Sequence, residues 1–336
     1  MGILAWEQVL PLVHNVLKTE VDGEGRLRFR RFTPEQVEDY RLDGEAFTIR
    51  CRASANVTLD FVTDGDWVEL AYDLQTGSSR KSYDMDLYVD GTLFDAKHEE
   101  GFEPGVARFA LPEGTHRVTV FLPWSAELML RSLALSDGAK VEPAPPKSMR
   151  ILAVGDSITQ GYKARHPGCT WVGKVTRDLD AEVFDLGVGG YRFLTNSLLH
   201  PTRWQTDLIV LAYGTNDYSK YEQADEYRRL AEAYMERLTE LYPDVPILMM
   251  LPIYRNDESY REKAARRAYT LEDARQILRE IAGRFPQVTV LDTAFYPHHA
   301  DFFAPDYLHP NDLGFLVQGE EVVRAIRKMG FPKGKK

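Results

Sequence analysis

Hydrophobic and polar positions follow different patterns in the two halves of the chain. From about Gly23 to Ser136, apolar and polar side chains alternate over short runs that end at turn-forming pairs such as Asp64-Gly65 and Asp90-Gly91. A period of two places successive side chains on opposite faces of a strand. The alternating runs are Ala46 to Arg52, Val57 to Val62, Trp67 to Leu74 and His116 to Leu122. This pattern predicts an antiparallel, jelly-roll-like β-sandwich.

Two segments border the predicted sandwich. Residues 1–20 mix apolar positions with Glu7 and His14, which predicts a short amphipathic helix. Residues 141–149 include three prolines within four positions. Since proline has no N–H and fits neither a helix nor a central strand, this segment predicts a stiff linker. We therefore expect an accessory sandwich domain over residues 1–140 and a second domain over residues 150–332.

The second half predicts a parallel sheet, because its apolar runs are continuous. Such strands are typical of a sheet that helices cover on both faces. The apolar runs are Arg150 to Val154, Glu182 to Leu186, Leu208 to Ala212, Ile247 to Leu251 and Val288 to Leu291. The clearest helical periodicities between and after them are Asp225 to Leu241, Ala264 to Ile281 and Leu313 to Met329. Strands that alternate with helices predict βαβ units and a five-stranded parallel sheet.

Composition narrows the classes of partner. The 336-residue chain is 44% hydrophobic, and its net charge of −10 disfavours nucleic acid and anionic membrane surfaces, because both repel an acidic protein. No stretch approaches the roughly 18 apolar residues of a membrane span, so the expected location is cytoplasmic. Cys51 and Cys169 are too few for a disulfide framework or a cysteine-based metal site. No cofactor or metal is expected, and the sequence leaves homo-oligomer formation open.

Four polar, glycine-containing segments follow predicted strands or precede the last helix. Ligands of open parallel sheets bind at the carboxyl ends of the strands. Taken singly, each segment is better explained as a turn or a helix cap. The segments are 155–161, 185–191, 213–217 and 306–311. Since all four fall at one edge of the predicted sheet, they favour a shared site over four independent turns.

Together these segments contain the parts of a serine hydrolase. Ser157 is the candidate nucleophile, and His309 is the candidate base. Asp306 could orient His309 if the intervening loop curls back, which would fix the imidazole tautomer. Glycine amides after the second strand and the Asn216 side chain could donate to an oxyanion. The spacing therefore predicts acyl-transfer chemistry at Ser157.

About half of the chain, from residue 150 to residue 329, resembles the SGNH (GDSL-type) hydrolases. The segments that are similar to the four family blocks are, in order, 155–157, 189–191, 214–217 and 306–310. The resemblance implies a flavodoxin-like three-layer α/β/α fold with Ser157, His309 and Asp306 as catalytic triad. It also implies an oxyanion hole formed by the amides of Ser157 and Gly190 and by the Asn216 side chain.

Two positions depart from the family pattern. Ile158 replaces the leucine of the GDSL motif, which is a conservative change. Asp185 stands where many members have asparagine, which leaves Gly187 as an alternative oxyanion donor. We prefer Gly190 because of its place in the second block.

His298 and His299 with Asp301 do not have zinc-type spacing, so a metal site is not predicted.

The first half resembles the N-terminal sandwich of two-domain SGNH enzymes. Asp86-Leu87-Tyr88 is similar to the Gly-x-Asp-Leu-Tyr signature of one such group, with Asp84 at the glycine position. Because two-domain members are often carbohydrate esterases, the resemblance implies hydrolysis of small acyl esters, above all acetyl, of a small molecule or carbohydrate. An acyltransferase, a lipase- or lysophospholipase-like esterase and a carbohydrate-binding module stay open as alternatives.

Three further side chains are candidates for lining the substrate pocket of the predicted esterase. Asp156 and Tyr191 lie within the family blocks, and Tyr218 directly follows one. Core or rim packing explains the two tyrosines at least equally well, and support of the turn explains Asp156. The candidates are Tyr191, Asp156 and Tyr218.

Overall fold

The computed structural model describes residues 2–257, 260–262 and 267–332. The chain divides into two compact units, each of which includes a short segment from the other half of the sequence. The first unit comprises Met1–Thr33, Ile49–Lys147 and Arg165–Gly168, and the second comprises Pro34–Thr48, Ser148–Ala164 and Cys169–Lys336. The domain borders expected near residues 140 and 150 stay a prediction. The sequence did not predict that residues 34–48 belong to the second unit and residues 165–168 to the first.

The first unit consists of short strands from both ends of its sequence. In chain order they are β1 (Gly2–Ile3), β2 (Val13–His14), β3 (Lys18–Val21), β4 (Leu27–Arg30), β5 (Thr58–Thr63), β6 (Trp67–Thr76), β7 (Ser82–Val89), β8 (Thr92–Glu100), β9 (Gly105–Ala110), β10 (His116–Phe121), β11 (Ala126–Leu135) and β12 (Val141–Pro143). One sheet has the order β3-β4-β11-β6-β9 with β1 on β11, and the other has the order β12-β5-β10-β7-β8 with β2 on β5.

All pairings between these strands are antiparallel, which confirms the predicted sandwich. Apolar side chains of both sheets form one core, in which Leu59, Leu70 and Val120 are fully buried. Burial of this apolar surface is the main driving force for folding of the unit.

Residues 165–168 belong to the first unit because strand β7 binds them. Asp86 is fully buried, with one carboxylate oxygen 2.8 Å from His166 Nδ1 and the other accepting a hydrogen bond from the Gly168 amide at 2.8 Å. A Cβ atom on Gly168 would lie 2.4 Å from the Tyr88 ring. The Asp-Leu-Tyr signature thus fixes this loop against the sandwich.

Three sequence predictions in the first half are wrong. Residues 1–20 are not one amphipathic helix: Trp6–Val9 form the short helix α1, Leu10–Leu12 form a 3₁₀ turn, and residues 2–3, 13–14 and 18–21 pair with the sandwich as strands. The predicted strand 46–52 is helix α3 (Glu45–Cys51), whose buried residues Thr48 and Cys51 are one helical turn apart. The predicted linker begins as strand β12, where Pro143 is tolerated because β12 is at the edge of its sheet.

The second unit contains the predicted five-stranded parallel sheet. Its strands are β13 (Arg150–Gly155), β14 (Glu182–Gly187), β15 (Leu208–Ala212), β16 (Ile247–Met250) and β17 (Val288–Leu291), in the order β14-β13-β15-β16-β17. Every pairing is parallel. Along the chain, β14 is added on one side of β13 and β15 on the other side, as in flavodoxin-like sheets. Such a reversal of strand order is a switch point, and it opens a crevice at the carboxyl ends of the strands. The predicted fold class is confirmed.

Helices accompany this sheet along the chain. They are α2 (Pro34–Asp43), α4 (Ser157–Gln160), α5 (Trp171–Asp178), α6 (Thr215–Lys220), α7 (Ala224–Leu241), α8 (Leu271–Ala282) and α9 (Asp312–Lys328). Helix α8 begins later than the predicted 264–281, because Thr270 caps it in a capping box with Asp273; residues 264–266 lie outside the described residues. None of the described helices combines the length and hydropathy of a membrane span.

Candidate active site

Ser157 follows strand β13 and lies at the carboxyl edge of the parallel sheet. The strand ends at Gly155, and Asp156 caps helix α4 by accepting a hydrogen bond from the Ile158 amide at 2.9 Å. A Cβ atom on Gly155 would lie 2.0 Å from Thr159 Oγ1, so only glycine lets the helix fold back this closely. Ser157 is therefore the first residue of a short helix that starts at the switch point.

The structure brings the three predicted triad side chains into one hydrogen-bonded line. Ser157 Oγ lies 2.8 Å from His309 Nε2, and His309 Nδ1 lies 2.9 Å from Asp306 Oδ2. The loop between Asp306 and His309 curls back, with Tyr307 in the left-handed region at φ 52°. The ring of Tyr162 packs against the His309 ring at a centroid distance of 4.6 Å. This geometry suits proton transfer from the serine hydroxyl to the imidazole.

Asp306 is held as an anion. Burial alone would raise its pKa, but the hydrogen bond and charge of His309, together with the backbone amides of His309 and Leu308, lower the pKa to about 2. One carboxylate oxygen accepts from these amides at 3.0 and 3.1 Å, while the other faces the imidazole. The carboxylate can therefore stabilise a positively charged His309.

Two backbone amides beside Ser157 are available to bind an anion. Across the described residues, the N–H groups of Ser157 and Gly190 have no acceptor. Gly187 instead donates to Asp185 Oδ1 at 2.7 Å, and Gly189 donates to Gln160 Oε1 at 2.9 Å. Gly190 adopts φ 78°, a conformation that favours glycine. Of the two candidate donors in this segment, the geometry therefore favours Gly190 over Gly187.

Asn216 lies at the start of helix α6, after the third strand of the predicted site. Its Nδ2 atom donates to Asp156 Oδ2 at 3.2 Å and to the Tyr191 carbonyl at 3.1 Å. Both distances are at the long end of the normal range for N–H···O bonds. The Asn216 amide is thus fixed between the segment that carries Ser157 and the segment that carries Gly190.

The three residues predicted to line a substrate pocket are buried instead. Tyr191 is 0% exposed, and Asp156 and Tyr218 are each 1% exposed, so their side chains have no free surface for a substrate. The prediction for these side chains is therefore corrected to a supporting position. Tyr191 donates to Asp43 at 2.6 Å, and Asp156 caps α4 and contacts Asn216. Burial raises the pKa of Asp156 to about 7.

Sequence reasoning missed three residues that support the site. Gln160 anchors the second glycine segment, and Tyr162 packs on the base. Arg255 is 3% exposed, pairs with Asp257 through two hydrogen bonds and donates to the Thr215 carbonyl at 3.0 Å. Gln160 and Tyr162 flank the first block and could have been found there. Arg255 follows β16 in a segment without any motif, so no sequence signal indicated it.

Comparison with known proteins identifies the second half. Residues 153–316 match the model of the GDSL-like Lipase/Acylhydrolase family, which covers the sheet from β13 to the start of α9. The chain therefore contains a GDSL-like (SGNH) hydrolase domain that follows an N-terminal β-sandwich. A search of curated proteins gave no significant match.

Solved structures share both units of the fold. A salicylyl-acyltransferase from a tetracycline biosynthetic pathway is 21% identical with a TM-score of 0.78, and the match covers 96% of each chain. A family two carbohydrate esterase from Clostridium thermocellum, in complex with cellohexaose, is 14% identical with a TM-score of 0.66 over 98% of this chain and 99% of that one. A family two carbohydrate esterase from Cellvibrio japonicus is 17% identical with a TM-score of 0.64, covering 96% of each chain. At these identities the similarity establishes the two-domain fold alone.

Proposed function

We propose that this protein is a serine esterase that hydrolyses small acyl esters through a covalent acyl-enzyme. The observation that carries this proposal is the unbroken hydrogen-bonded line from Ser157 through His309 to Asp306. The line supplies a nucleophile, a base and an orienting carboxylate, the three parts that acyl transfer requires.

The reaction follows from this geometry in two halves. His309 Nε2 takes the proton of Ser157 as Oγ attacks the ester carbonyl, and Asp306 stabilises the resulting imidazolium. Collapse of the tetrahedral intermediate breaks the ester bond, and His309 gives the proton to the leaving alkoxide. A water molecule then attacks the acyl-serine with His309 again as base, which releases the carboxylic acid and restores the serine hydroxyl.

Three donors would stabilise the oxyanion of each tetrahedral intermediate. The amides of Ser157 and Gly190 have no acceptor in the described part of the chain, so they can bind the oxyanion without breaking a hydrogen bond. Asn216 donates over 3.1 and 3.2 Å to two acceptors, and we expect it to turn one hydrogen toward the charged oxygen. Hydrogen bonds at unliganded sites are often long and shorten in the transition state.

An acetyl ester of a carbohydrate is the substrate class that we propose. Support comes from the shared two-domain architecture with a family two carbohydrate esterase that binds cellohexaose. The second candidate is acyl transfer to an alcohol or amine other than water, which the similarity to the salicylyl-acyltransferase favours. Both reactions use the same acyl-enzyme and differ only in the acceptor.

A panel of nitrophenyl esters from acetyl to octanoyl, assayed beside acetylated sugars, tests the esterase proposal. We expect turnover to fall steeply with acyl length and the folded Ser157→Ala variant to be inactive on every substrate. A preference for the octanoyl ester would contradict an acetylesterase and support a lipase-like enzyme. An active Ser157→Ala protein of native circular dichroism would remove Ser157 from the chemistry altogether.

Competition between acceptors separates the two reactions. The acyl donor is supplied with increasing amounts of a sugar alcohol or an amine, and the products are quantified by mass spectrometry. A hydrolase gives mainly free acid at all acceptor concentrations. A product in which the acceptor carries the acyl group, formed at the expense of free acid, would identify a transferase.

A further inference from the structure

Helix α2 comes from the N-terminal half of the chain but packs within the second unit, along the loop that follows β14. Its inward face carries polar side chains beside the buried Tyr40, and three of these polar side chains form hydrogen bonds with that loop. The contacts are Gln36 to Thr202 Oγ1 at 2.9 Å, Asp39 to the His200 amide at 3.0 Å and Asp43 to Asn196 Nδ2 at 2.9 Å. Positions 36, 39 and 43 share one helical face, so the three bonds form together when the helix docks.

The most buried partner of this segment is Tyr191. Its hydroxyl donates to Asp43 Oδ2 at 2.6 Å, and its ring is fully buried. The rings of Tyr40 and Phe47 contact it edge-on at centroid distances of 4.5 and 5.1 Å. Burial raises the pKa of Tyr191, which keeps its hydroxyl neutral and able to donate. Asp43 thus holds one end of this side chain while aromatic packing holds its sides.

The other end of Tyr191 belongs to the oxyanion site. The residue directly follows Gly190, and its carbonyl oxygen accepts the hydrogen bond of Asn216 Nδ2 at 3.1 Å. Its amide donates to the Val188 carbonyl at 3.0 Å, which closes the turn that contains Gly190. A single residue therefore joins two of the three proposed oxyanion donors to helix α2.

We propose that Tyr191 and Asp43 are positioning residues that hold the Gly190 amide and the Asn216 side chain at the distance an oxyanion requires. This inference rests on the proposed function, because it presumes an oxyanion at Ser157. Neither side chain touches the substrate; each acts through the Gly190–Tyr191 turn. Since a displacement of about 1 Å at a reacting group can cost about 100-fold in rate, a support of this kind affects catalysis more than binding.

Removal of a single hydroxyl tests the inference in the full-length protein. Tyr191→Phe keeps the buried ring and deletes the hydroxyl, and with it the 2.6 Å bond to Asp43 and the longer 3.4 Å contact with the Leu194 carbonyl. We expect kcat for nitrophenyl acetate to fall about 10-fold, less than the roughly 100- to 1000-fold cost of losing a donor such as Asn216 in Asn216→Ala. KM should stay within about twofold, because a support used only in the transition state changes kcat. The affinity for methylboronic acid, which forms a tetrahedral adduct with the serine, should fall by a factor similar to that of kcat.

Thr202→Val is the matched control. It deletes the hydroxyl that binds Gln36, on the same helix and loop but away from the Gly190 turn. We expect it to lower the melting temperature about as much as Tyr191→Phe and to leave kcat and the boronate affinity unchanged. Asp43→Asn should recover most of the activity that Asp43→Ala loses, because the amide oxygen can still accept from Tyr191.

The outcomes separate this inference from the proposed function. Wild-type kcat in Tyr191→Phe would overturn the positioning role, as would an equal loss in Thr202→Val, which would indicate a general structural effect. Both results leave the triad intact. An active Ser157→Ala variant, in contrast, would overturn the proposed serine chemistry itself.

Discussion

At the scale of single residues, Asp306 connects the proposed catalytic mechanism with stability at acidic pH. Asp306→Asn keeps the size of the side chain but replaces the charge that faces His309, and we expect kcat to fall by about 10⁴-fold, as in other triads. The folded-state pKa of about 2 lies below the ordinary value of 3.8, so the charged carboxylate stabilises the native state above pH 4. That contribution is lost as the pH falls from about 4 to about 2.

Denaturant unfolding at two pH values measures this linkage. At near-neutral pH the wild type should be more stable than Asp306→Asn, and the difference should shrink at about pH 3, where Asp306 begins to take up its proton. Asp301→Asn alters an exposed carboxylate near the same loop and should stay within about 0.5 kcal/mol of the wild type at both values. A stability difference that does not change with pH would contradict the assigned pKa shift.

At the scale of elements, the approach of strand β14 to helix α4 depends on Gly187. A Cβ atom there would lie 2.3 Å from the Gln160 backbone nitrogen and 2.8 Å from Asp185 Oδ1, neither of which can move freely. Gly187→Ala should therefore destabilise the protein by about 1–3 kcal/mol and reduce kcat, because it separates the Ser157 helix from the Gly190 turn. Thermal unfolding and nitrophenyl acetate kinetics measure the two effects.

Gly283→Ala is the control for this substitution. Gly283 ends helix α8 in a right-handed helical conformation, and its nearest non-bonded atoms would lie 3.5 Å from a new Cβ. The change should be neutral or stabilise the protein by about 0.4–1 kcal/mol through the unfolded state. An equal loss of stability in the two variants would mean that the close contacts at Gly187 do not make a Cβ atom there especially destabilising.

The elements that could be predicted from the sequence are those whose buried face is apolar. Strands β13 to β17 are mainly apolar, and Ser157, Gly190 and Asn216 follow β13, β14 and β15 at the carboxyl edge of the sheet, as predicted. Helix α2 escaped prediction because Gln36 and Asp39, on its buried face, are polar and gave no hydrophobic period. Its partners lie some 160 residues away in sequence, so only tertiary hydrogen bonds reveal its place.

The same logic explains the errors in the candidate site. Tyr191 is the last residue of the second family block and Tyr218 follows the third, but proximity in sequence to a candidate catalytic residue does not decide whether a side chain faces the cleft or the core. Both turn inward and are fully covered. Asp156 is covered as well, because it caps the helix that carries Ser157. Residue type and spacing thus selected candidate reacting groups that the structure brings within hydrogen-bond distance, whereas the supporting groups required three-dimensional packing.

At the scale of the whole molecule, the two units are not continuous pieces of chain. The hydrolase sheet lies after Ser148, but its unit also includes Pro34–Thr48, whose helix binds the loop of Gly190. A fragment that begins at residue 148 would lack this helix and leave Asn196, His200 and Tyr191 without their partners. Of these three side chains only Tyr191 is fully buried, and a buried polar group that loses its partner costs about 1–3 kcal/mol.

We therefore expect the fragment from residue 148 onward, expressed alone, to aggregate or to lose most of its esterase activity. The control is the full chain with a protease site inserted between the exposed residues Pro145 and Pro146 and cleaved after folding. The cleaved protein still holds helix α2 and should keep its kcat, because the cut breaks one peptide bond and none of the contacts of Asp43 or Tyr191. Full activity of the isolated fragment would show that the Gly190 turn forms without the N-terminal segment, and it would restrict the helix to a role in stability.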